Sequence, residues 1–590
     1  MSKEMRKEVL VLFGEYVPHN WPPSNTPLQV VIASKKLRSE IKARGLEWVS
    51  LETLVEPGSI YKASALLEEL SDAEFADGTR VTKSFLYKGY ELWWIHYESL
   101  FLYFCLPYTQ YGNLLNYLKS FQRVYVYRPP YINLFFYYLK AHGSTMTVLR
   151  ESGVRSPRFL PFGVFLQALL TFASLPLLAL SKRRVMVFTG DKFEQGKDYD
   201  FRMRFIYEEL RKRSLPFVEF IRGLESWRTV LRHAWFRARP VVYSEAVIFL
   251  GRFFSIVSGG RARAEQMFGI HRFAPAQDGD THFKQLMATH YQLRIHEDVW
   301  AIRIMRGVLR VAGVRAAFVT AASKRNFHTV LACKLLSIPT VGILHGVASR
   351  YYNVYDFMPG FDGEKSLSVN TYGLWSQWWR EYYVKNSKVY TPEQLQVSGL
   401  MRPLQDIHIP VVAAPVNGGP LEVLFVGEQL GVPSEVVPYL SALLDAKDLS
   451  VYVKFRPYRD GFEDWLKEHR PDLWERIDTA KILRGGMNEA VARCDVVVGS
   501  HSTAVLESLL QLKPPIFYDT GKWGDYFELK SFNSKYSFIA ETPQELLGLV
   551  RGSKNIPQAI LKELQNKFFG DPYMNGSAWV VDELEKRIKD

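Results

Sequence analysis

Three times along this 590-residue chain an unbroken run of apolar, largely β-branched residues stops on glycine or a polar turn and gives way to a stretch with helical spacing. Runs this short, bounded by turn residues, read as strands buried on both faces, and strands alternating with helices assemble into parallel sheets with crossover helices. The first cycle fills residues 1–150: strand-like 9–13, apolar and basic residues at helical spacing over 29–44, strand-like 48–54 and 124–127, a helix opened by Pro129 and Pro130, and a strand over 145–149. The second begins at 184–191, passes through a helix over 201–213 and a strand over 216–221, and closes on strand 316–320, a helix over 326–336 and strand 340–344, which runs into His345 and Gly346. The third takes strands 421–427, 450–455, 496–499 and 515–518 with helices near 462–467, 504–512 and 543–550. The expected fold class is α/β, with several cores, as a chain of this length requires.

Between the first two cycles, residues 159–180 (FLPFGVFLQALLTFASLPLLAL) carry no charge. As a helix this segment is long enough to cross a bilayer's hydrocarbon core. Arg155 and Arg158 precede it and Lys182, Arg183 and Arg184 follow it, so both ends favour the same, cytoplasmic face. Pro161, Gly163 and Pro176 weaken a straight span. The readings are an interfacial segment on an anionic membrane, which the basic flanks favour, a buried interdomain helix, or a true span.

Lysine and arginine number 74 against 61 acidic residues, a net charge of +13. That excess suits anionic partners such as nucleotides or phospholipid headgroups. The basic residues are scattered apart from 182–184 and 211–213, and nucleic acid is not an expected partner. Cys105, Cys333 and Cys494 form no CxxC pair, which argues against a disulfide framework and a cysteine zinc site and for a reducing compartment. Residues 1–12 lack the long apolar core of a secretory signal, so a cytoplasmic start is expected. Together these place the chain on the cytoplasmic face of a membrane.

The stretch most informative about chemistry is 494–509, CDVVVGSHSTAVLESL, in which a strand breaks at Gly499 and reopens as a helix capped by Ser502 or Thr503. Backbone amides at such a turn, at the carboxyl edge of a parallel sheet, suit a phosphate. Ser500, His501, Ser502 and Thr503 are therefore candidate phosphate-binding residues, and Glu507, one turn on, can reach a ribose hydroxyl. Lys454 and Arg456 end a strand and offer further cationic donors, while Gly427 and Glu428 follow the first strand of the third cycle. His345 is a candidate general base, because an unperturbed imidazole takes a hydroxyl proton near neutral pH. Asp356 and Asp362 are candidate carboxylate bases. No metal is assigned, since the DxD matches at 198–200 and 278–280 are short enough to arise by chance.

These stretches resemble the bacterial surface and capsular polysaccharide glycosyltransferases of GT-B fold, the polysialyltransferase-like enzymes and the related CDP-glycerol glycerophosphotransferases. The resemblance rests on the Ser-His-Ser-Thr turn at 500–503, on Lys454, Arg456 and Pro457 where those enzymes carry Lys-x-His-Pro, on His345-Gly346 and on Gly427. It implies GT-B architecture, two Rossmann-like lobes facing a cleft, with an additional N-terminal α/β region. The expected domains are 1–150 as that region, 151–184 as a membrane-associating or interdomain segment, and 185–360 as the acceptor lobe. Residues 361–420 follow as hinge and cleft wall, 421–560 as the donor lobe and 561–590 as a C-terminal helix.

Arg456 stands where the family has histidine, so that histidine's role at the leaving phosphate does not transfer. Asp362-Gly363 faintly resembles the acidic-Gly motif of bacterial sialyltransferases. The retaining branch carries a second glutamate eight positions before the one matching Glu507, and here that position is Gly499. The resemblance thus implies an inverting transfer from a CMP-, CDP- or UDP-linked sugar donor to a cell-surface polysaccharide or lipid-linked glycan. The alternatives are transfer of glycerol- or ribitol-phosphate from a CDP-linked donor, and a non-catalytic scaffold in polysaccharide assembly.

Overall fold

The structure is a computed structural model that describes residues 6–18, 21, 28–56, 58–149, 162–181, 185–189, 203–221, 227–236, 241–268, 271–319, 324–346, 349–359, 367–402, 419–427, 433–456, 461–520, 525 and 527–589. Among the described residues three large sheets, each parallel throughout, organise the chain into three α/β lobes, and Leu86–Tyr87 pairs with Tyr90–Glu91 as a small antiparallel hairpin.

The first lobe orders its strands Trp48–Ser50, Leu28–Ile32, Arg6–Leu12, Phe121–Tyr127 and Thr145–Leu149. In chain order this is 3-2-1-4-5, the doubly wound Rossmann pattern. The second lobe repeats the pattern with Val241–Tyr243, Phe217–Ile221, Val185–Thr189, Ala316–Phe318 and Thr340–Ile343, and extends it with Thr371–Leu374 and Leu395–Val397. In the third lobe the order is Leu449–Lys454, Leu421–Val426, Val496–Gly499, Pro515–Tyr518 and Ile539–Ala540, and a single bridge from Val453 to Ile482 adds a vestigial outer strand. The central strands are buried on both faces, which is why they read as continuous apolar runs.

The last helix, Gly576–Lys589, leaves the third lobe and crosses back onto the second. Val580, Val581 and Leu584 share a buried cluster with Ile206, Tyr207 and Leu210 of helix Arg204–Lys212, and Arg213 pairs with Asp582 and Glu585. That crossing ties the second and third lobes together, so the fold is GT-B: two Rossmann-like lobes facing a cleft, with the first lobe added at the N-terminal side.

Several expectations need correction. Residues 29–44 are not one helical stretch: Val30, Val31 and Ile32 belong to a strand, and the helix is confined to Arg38–Ala43. The β-branched trio fits a strand paired on both sides better than a helix. Residues 361–420, expected as hinge and cleft wall, supply two strands of the second lobe and helix Gln377–Asn386. The expected helix over 504–512 is one α-helical turn, Thr503–Leu506, continued as a 3-10 segment, Glu507–Gln511, and stopped by Leu512 at φ 51°.

The first lobe is fastened to the second by a buried polar cluster. His96 and His328 donate through Nε2 to opposite oxygens of Asp298, at 2.5 and 2.7 Å. Burial alone would raise the Asp298 carboxyl, but the two imidazoles hold it below the usual carboxylate range. Nearby, His290 Nδ1 meets the Tyr137 hydroxyl at 2.7 Å. Burial, with the charge of Arg294 and His96, pushes His290 down from 6.5 to about 4. Between those values the unfolded chain binds a proton that the folded state refuses, so stability falls as pH drops from 6.5 towards 4. Thermal midpoints measured across that window should fall less steeply in His290→Gln than in the wild type.

Candidate functional site

In a doubly wound sheet the crevice for a ligand opens beyond the carboxyl ends of the strands, where successive crossovers diverge. In the third lobe that point lies between Leu421–Val426 and Val496–Gly499, which pair directly. Gly427 continues one strand and Ser500–Thr503 the other, so the two expected turns sit side by side. Gly499 makes the sharp exit from its strand possible. A β-carbon placed there would lie 2.6 Å from Val505 Cγ2 and 3.3 Å from the Val426 carbonyl oxygen, closer than any side chain tolerates without movement.

The second lobe brings its own turn to the same place. Leu344 is pinned at both ends, its amide donating to the Gly373 carbonyl at 2.8 Å and its carbonyl accepting from Trp375 Nε1 at 2.6 Å. His345 follows and is exposed. Among the described residues, a β-carbon placed on the next residue, Gly346, would come 3.9 Å from Thr503 Oγ1 and meet nothing else within 4 Å. His345-Gly346 and Ser502-Thr503 therefore oppose each other across the interlobe cleft.

Several third-lobe groups already have partners. Ser500 is fully buried, with its hydroxyl 2.8 Å from His501 Nδ1. The Ser502 hydroxyl accepts from the Ala504 amide at 3.3 Å, the N-cap geometry expected, and its own amide donates to the Ser500 carbonyl. Gly427 donates its amide to the Lys454 carbonyl at 3.0 Å. Lys454 Nζ donates to the Gly485 carbonyl, and burial lowers its ammonium below the ordinary lysine value. Arg456 is exposed beyond the strand end. Burial raises the Glu507 carboxyl, partly opposed by the charge of Arg402. With only one α-helical turn beginning at Thr503, local amides and hydroxyls rather than a long helix dipole would have to hold an anion here.

Asp356, expected as a candidate base, is instead placed among structural partners. It is buried, and three tyrosine hydroxyls donate to its carboxylate: Tyr372 at 3.1 Å and Tyr383 at 2.9 Å to Oδ2, Tyr390 at 2.8 Å to Oδ1. Burial and the Asp356 charge push Tyr372 and Tyr383 well above the ordinary tyrosine value, so these phenols remain donors. This clasp anchors the loop that follows His345. Asp362 and Glu428 lie outside the described residues, as does the 198–200 match. The other short acidic match is structural: Asp278 caps helix Gly279–Gln292 by accepting from the Thr281 amide at 2.8 Å.

Two contributors were not foreseen. Arg402, past the end of the second lobe's sheet, lies within electrostatic reach of Glu507 and holds its guanidinium 5.9 Å from the Phe205 ring centre. The first lobe reaches the cleft rim: Tyr61 packs edge-on against Tyr351, 6.4 Å between ring centres, and feels the charge of Asp519 from the third lobe. Ser64 and Glu68 bond Asn353, and Glu98 accepts from the Tyr355 hydroxyl, so the first lobe braces the same loop that Asp356 anchors. All of these pairs join residues far apart in the chain, which a local pattern does not register.

Neither a protein-family model nor a curated protein matches the chain. Among solved structures it is similar to a UDP-N-acetylglucosamine 2-epimerase from Methanocaldococcus jannaschii, at 9% identity and a TM-score of 0.39 over 68% of this chain and 99% of that one. It is also similar to Acinetobacter baumannii MurG, at 12% identity and 0.38 over 68% and 99%, and to Anabaena Alr3699/HepE in complex with UDP and glucose, at 11% and 0.37 over 68% and 100%. With TM-scores below 0.5 these likenesses assign neither activity nor ligand, and the fold rests on the strand orders and the returning helix.

Proposed function

We propose that the chain is a glycosyltransferase that binds a nucleotide-linked sugar in the cleft between the second and third lobes and passes the sugar to a glycan acceptor. The observation that carries this reading is the opposition of the 345–346 and 500–503 turns, each at the carboxyl edge of its own parallel sheet. Gly346 and Gly427 support it from another direction. Among the described residues a β-carbon at Gly427 would make only ordinary contacts of 3.7 Å or more and one at Gly346 would meet Thr503 alone, so these contacts do not demand glycine at either position. A ligand passing close to the backbone would.

In this reading the Gly427 and 500–503 turns carry the donor phosphates, with Arg456 as the cation best placed to approach them because it is exposed. Glu507, and Arg402 from the facing lobe, whose charge reaches it, are assigned to the nucleoside in the same reading. His345, on the facing lobe, takes the acceptor hydroxyl's proton as the bond to the leaving phosphate breaks, the step of an inverting single displacement. The acceptor in this reading is a cell-surface polysaccharide or a lipid-linked glycan.

The partners that Lys454 and Ser502 already hold favour a second reading, a scaffold that keeps the fold without turnover. A thermal-shift screen against CMP, CDP, UDP and GDP separates the two, because a ligand that binds only the folded state stabilises it, by about 2.7 kcal/mol at a hundred times its Kd, and so raises the unfolding midpoint. At least one nucleotide is expected to do so. The shift should shrink in Ser502→Ala with Thr503→Ala, each protein measured against its own ligand-free midpoint, since losing the cap alone costs about 1 kcal/mol. No shift with any nucleotide would leave only the scaffold.

A further inference from the structure

Helix Phe162–Ser181 is apolar on both faces: Leu166, Ala168 and Leu178 are buried against the protein, and a second set of apolar residues faces solvent. A helix on the surface of a water-soluble protein turns its apolar stripe to the core and its polar face to solvent. Here the polar residues face the protein: Gln167 and Thr171 are buried, and Ser174 is half-buried. Thr171 Oγ1 accepts from the Tyr243 amide at 3.1 Å and Ser174 Oγ from the Val241 amide at 3.4 Å. Strand Val241–Tyr243 is the edge of the second lobe's sheet, so these hydroxyls satisfy edge amides that have no neighbouring strand. The outward face is apolar, with Phe165, Leu169, Phe172 and Leu177 each more than half exposed and Leu180 84% exposed.

The apolar face continues onto the helices packed beside it, Trp227–Phe236 and Ser244–Val257. Phe162 meets the Trp227 ring edge-on, 6.1 Å between centres. Trp227, Leu231 and Trp235, four residues apart, form an outward stripe, and Trp235 is 87% exposed. Ile256 and Val257, at the end of helix Ser244–Val257, are also exposed. Scattered exposed apolar residues are ordinary, but a contiguous face of this kind marks a partner.

Charge selects the partner. Between Glu225 and Glu245 the sequence holds Arg228, Arg232, Arg237 and Arg239, a local excess of cations, and the long helix is flanked in sequence by Arg155 and Arg158 before it and Lys182, Arg183 and Arg184 after it. Apolar residues, interfacial tryptophans and clustered cations belong together at an anionic lipid surface.

We propose that this three-helix face is a docking surface for an anionic bilayer, with helix Phe162–Ser181 lying in the interface plane rather than across it. Spanning would strip Thr171 and Ser174 from the edge strand and turn Gln167 towards lipid tails, leaving buried polar groups without partners. The in-plane position keeps those bonds and buries only the residues that now face solvent. The inference is independent of what the cleft binds.

The test is co-sedimentation of the full chain with vesicles of phosphatidylcholine alone and of phosphatidylcholine mixed with phosphatidylglycerol. The expected result is binding to the mixed vesicles that weakens on neutral vesicles and with added salt. Leu169→Glu with Phe172→Glu and Leu177→Glu should lower the bound fraction roughly tenfold or more. Trp235→Glu alone, on a separate helix, should lower it with circular dichroism unchanged, which keeps the test valid if the triple variant misfolds. Equal binding of folded Trp235→Glu and wild type overturns the proposal. So does equal binding to neutral and anionic vesicles, or a wild type that ignores vesicles and self-associates through a contact that Trp235→Glu abolishes.

Discussion

Asp356→Ala is expected to destabilise the second lobe by about 3–5 kcal/mol, the largest single-residue effect on folding anticipated for this chain. The substitution removes the acceptor of three tyrosine hydroxyls, and Tyr372 and Tyr383 are fully buried with no route to water. Their rings pack tightly, Tyr372 stacking on Tyr390 at 4.7 Å, so rotation towards new partners is hindered. Asp356→Asn, which keeps one acceptor oxygen, should cost less. Denaturant titration of the two variants checks the ranking. A folded Asp356→Ala with an unchanged midpoint and lost turnover would instead restore Asp356 as the catalytic carboxylate.

That residue also shows where sequence reading reaches its limit. An aspartate after a His-Gly turn looks like a loop carboxylate because its partners lie 16, 27 and 34 positions further on. Strands 496–499 and 515–518 were legible to the residue, because buried parallel strands are written as apolar runs bounded by turns. Strands Thr371–Leu374 and Leu395–Val397 were not, since four and three residues containing tyrosine, glycine and glutamine show no such run. They are strands because the growing sheet offers them an edge.

The candidate site divides in the same way. The 500–503 turn, Gly427 and His345 could be picked out one by one, each at the end of its strand. Their meeting could not, since the helix that closes the lobes on each other does so through Val580, Val581 and Leu584, far along the chain. Arg402 carried no local signal at all, because its relation to Glu507 exists only across the cleft. Helix Phe162–Ser181 showed its apolarity in the sequence but not its direction, which depends on where Thr171 and Ser174 point.

The second large effect bears on the central claim, that the opposed 345–346 and 500–503 turns form a nucleotide crevice. Gly346 lacks the positive φ that reserves a position for glycine, and among the described residues a β-carbon there would make one ordinary van der Waals contact, with Thr503 Oγ1 at 3.9 Å. Gly346→Trp is expected to fold and to set its indole against the 500–503 turn, where the donor phosphates are proposed to lie. Calorimetric titration of wild type and Gly346→Trp with the nucleotide that gives the largest thermal shift measures this directly. The account predicts saturable binding to the wild type and affinity at least about thirtyfold weaker in the variant, roughly 2 kcal/mol, at an unchanged unfolding midpoint. Equal affinity in the two proteins would contradict it.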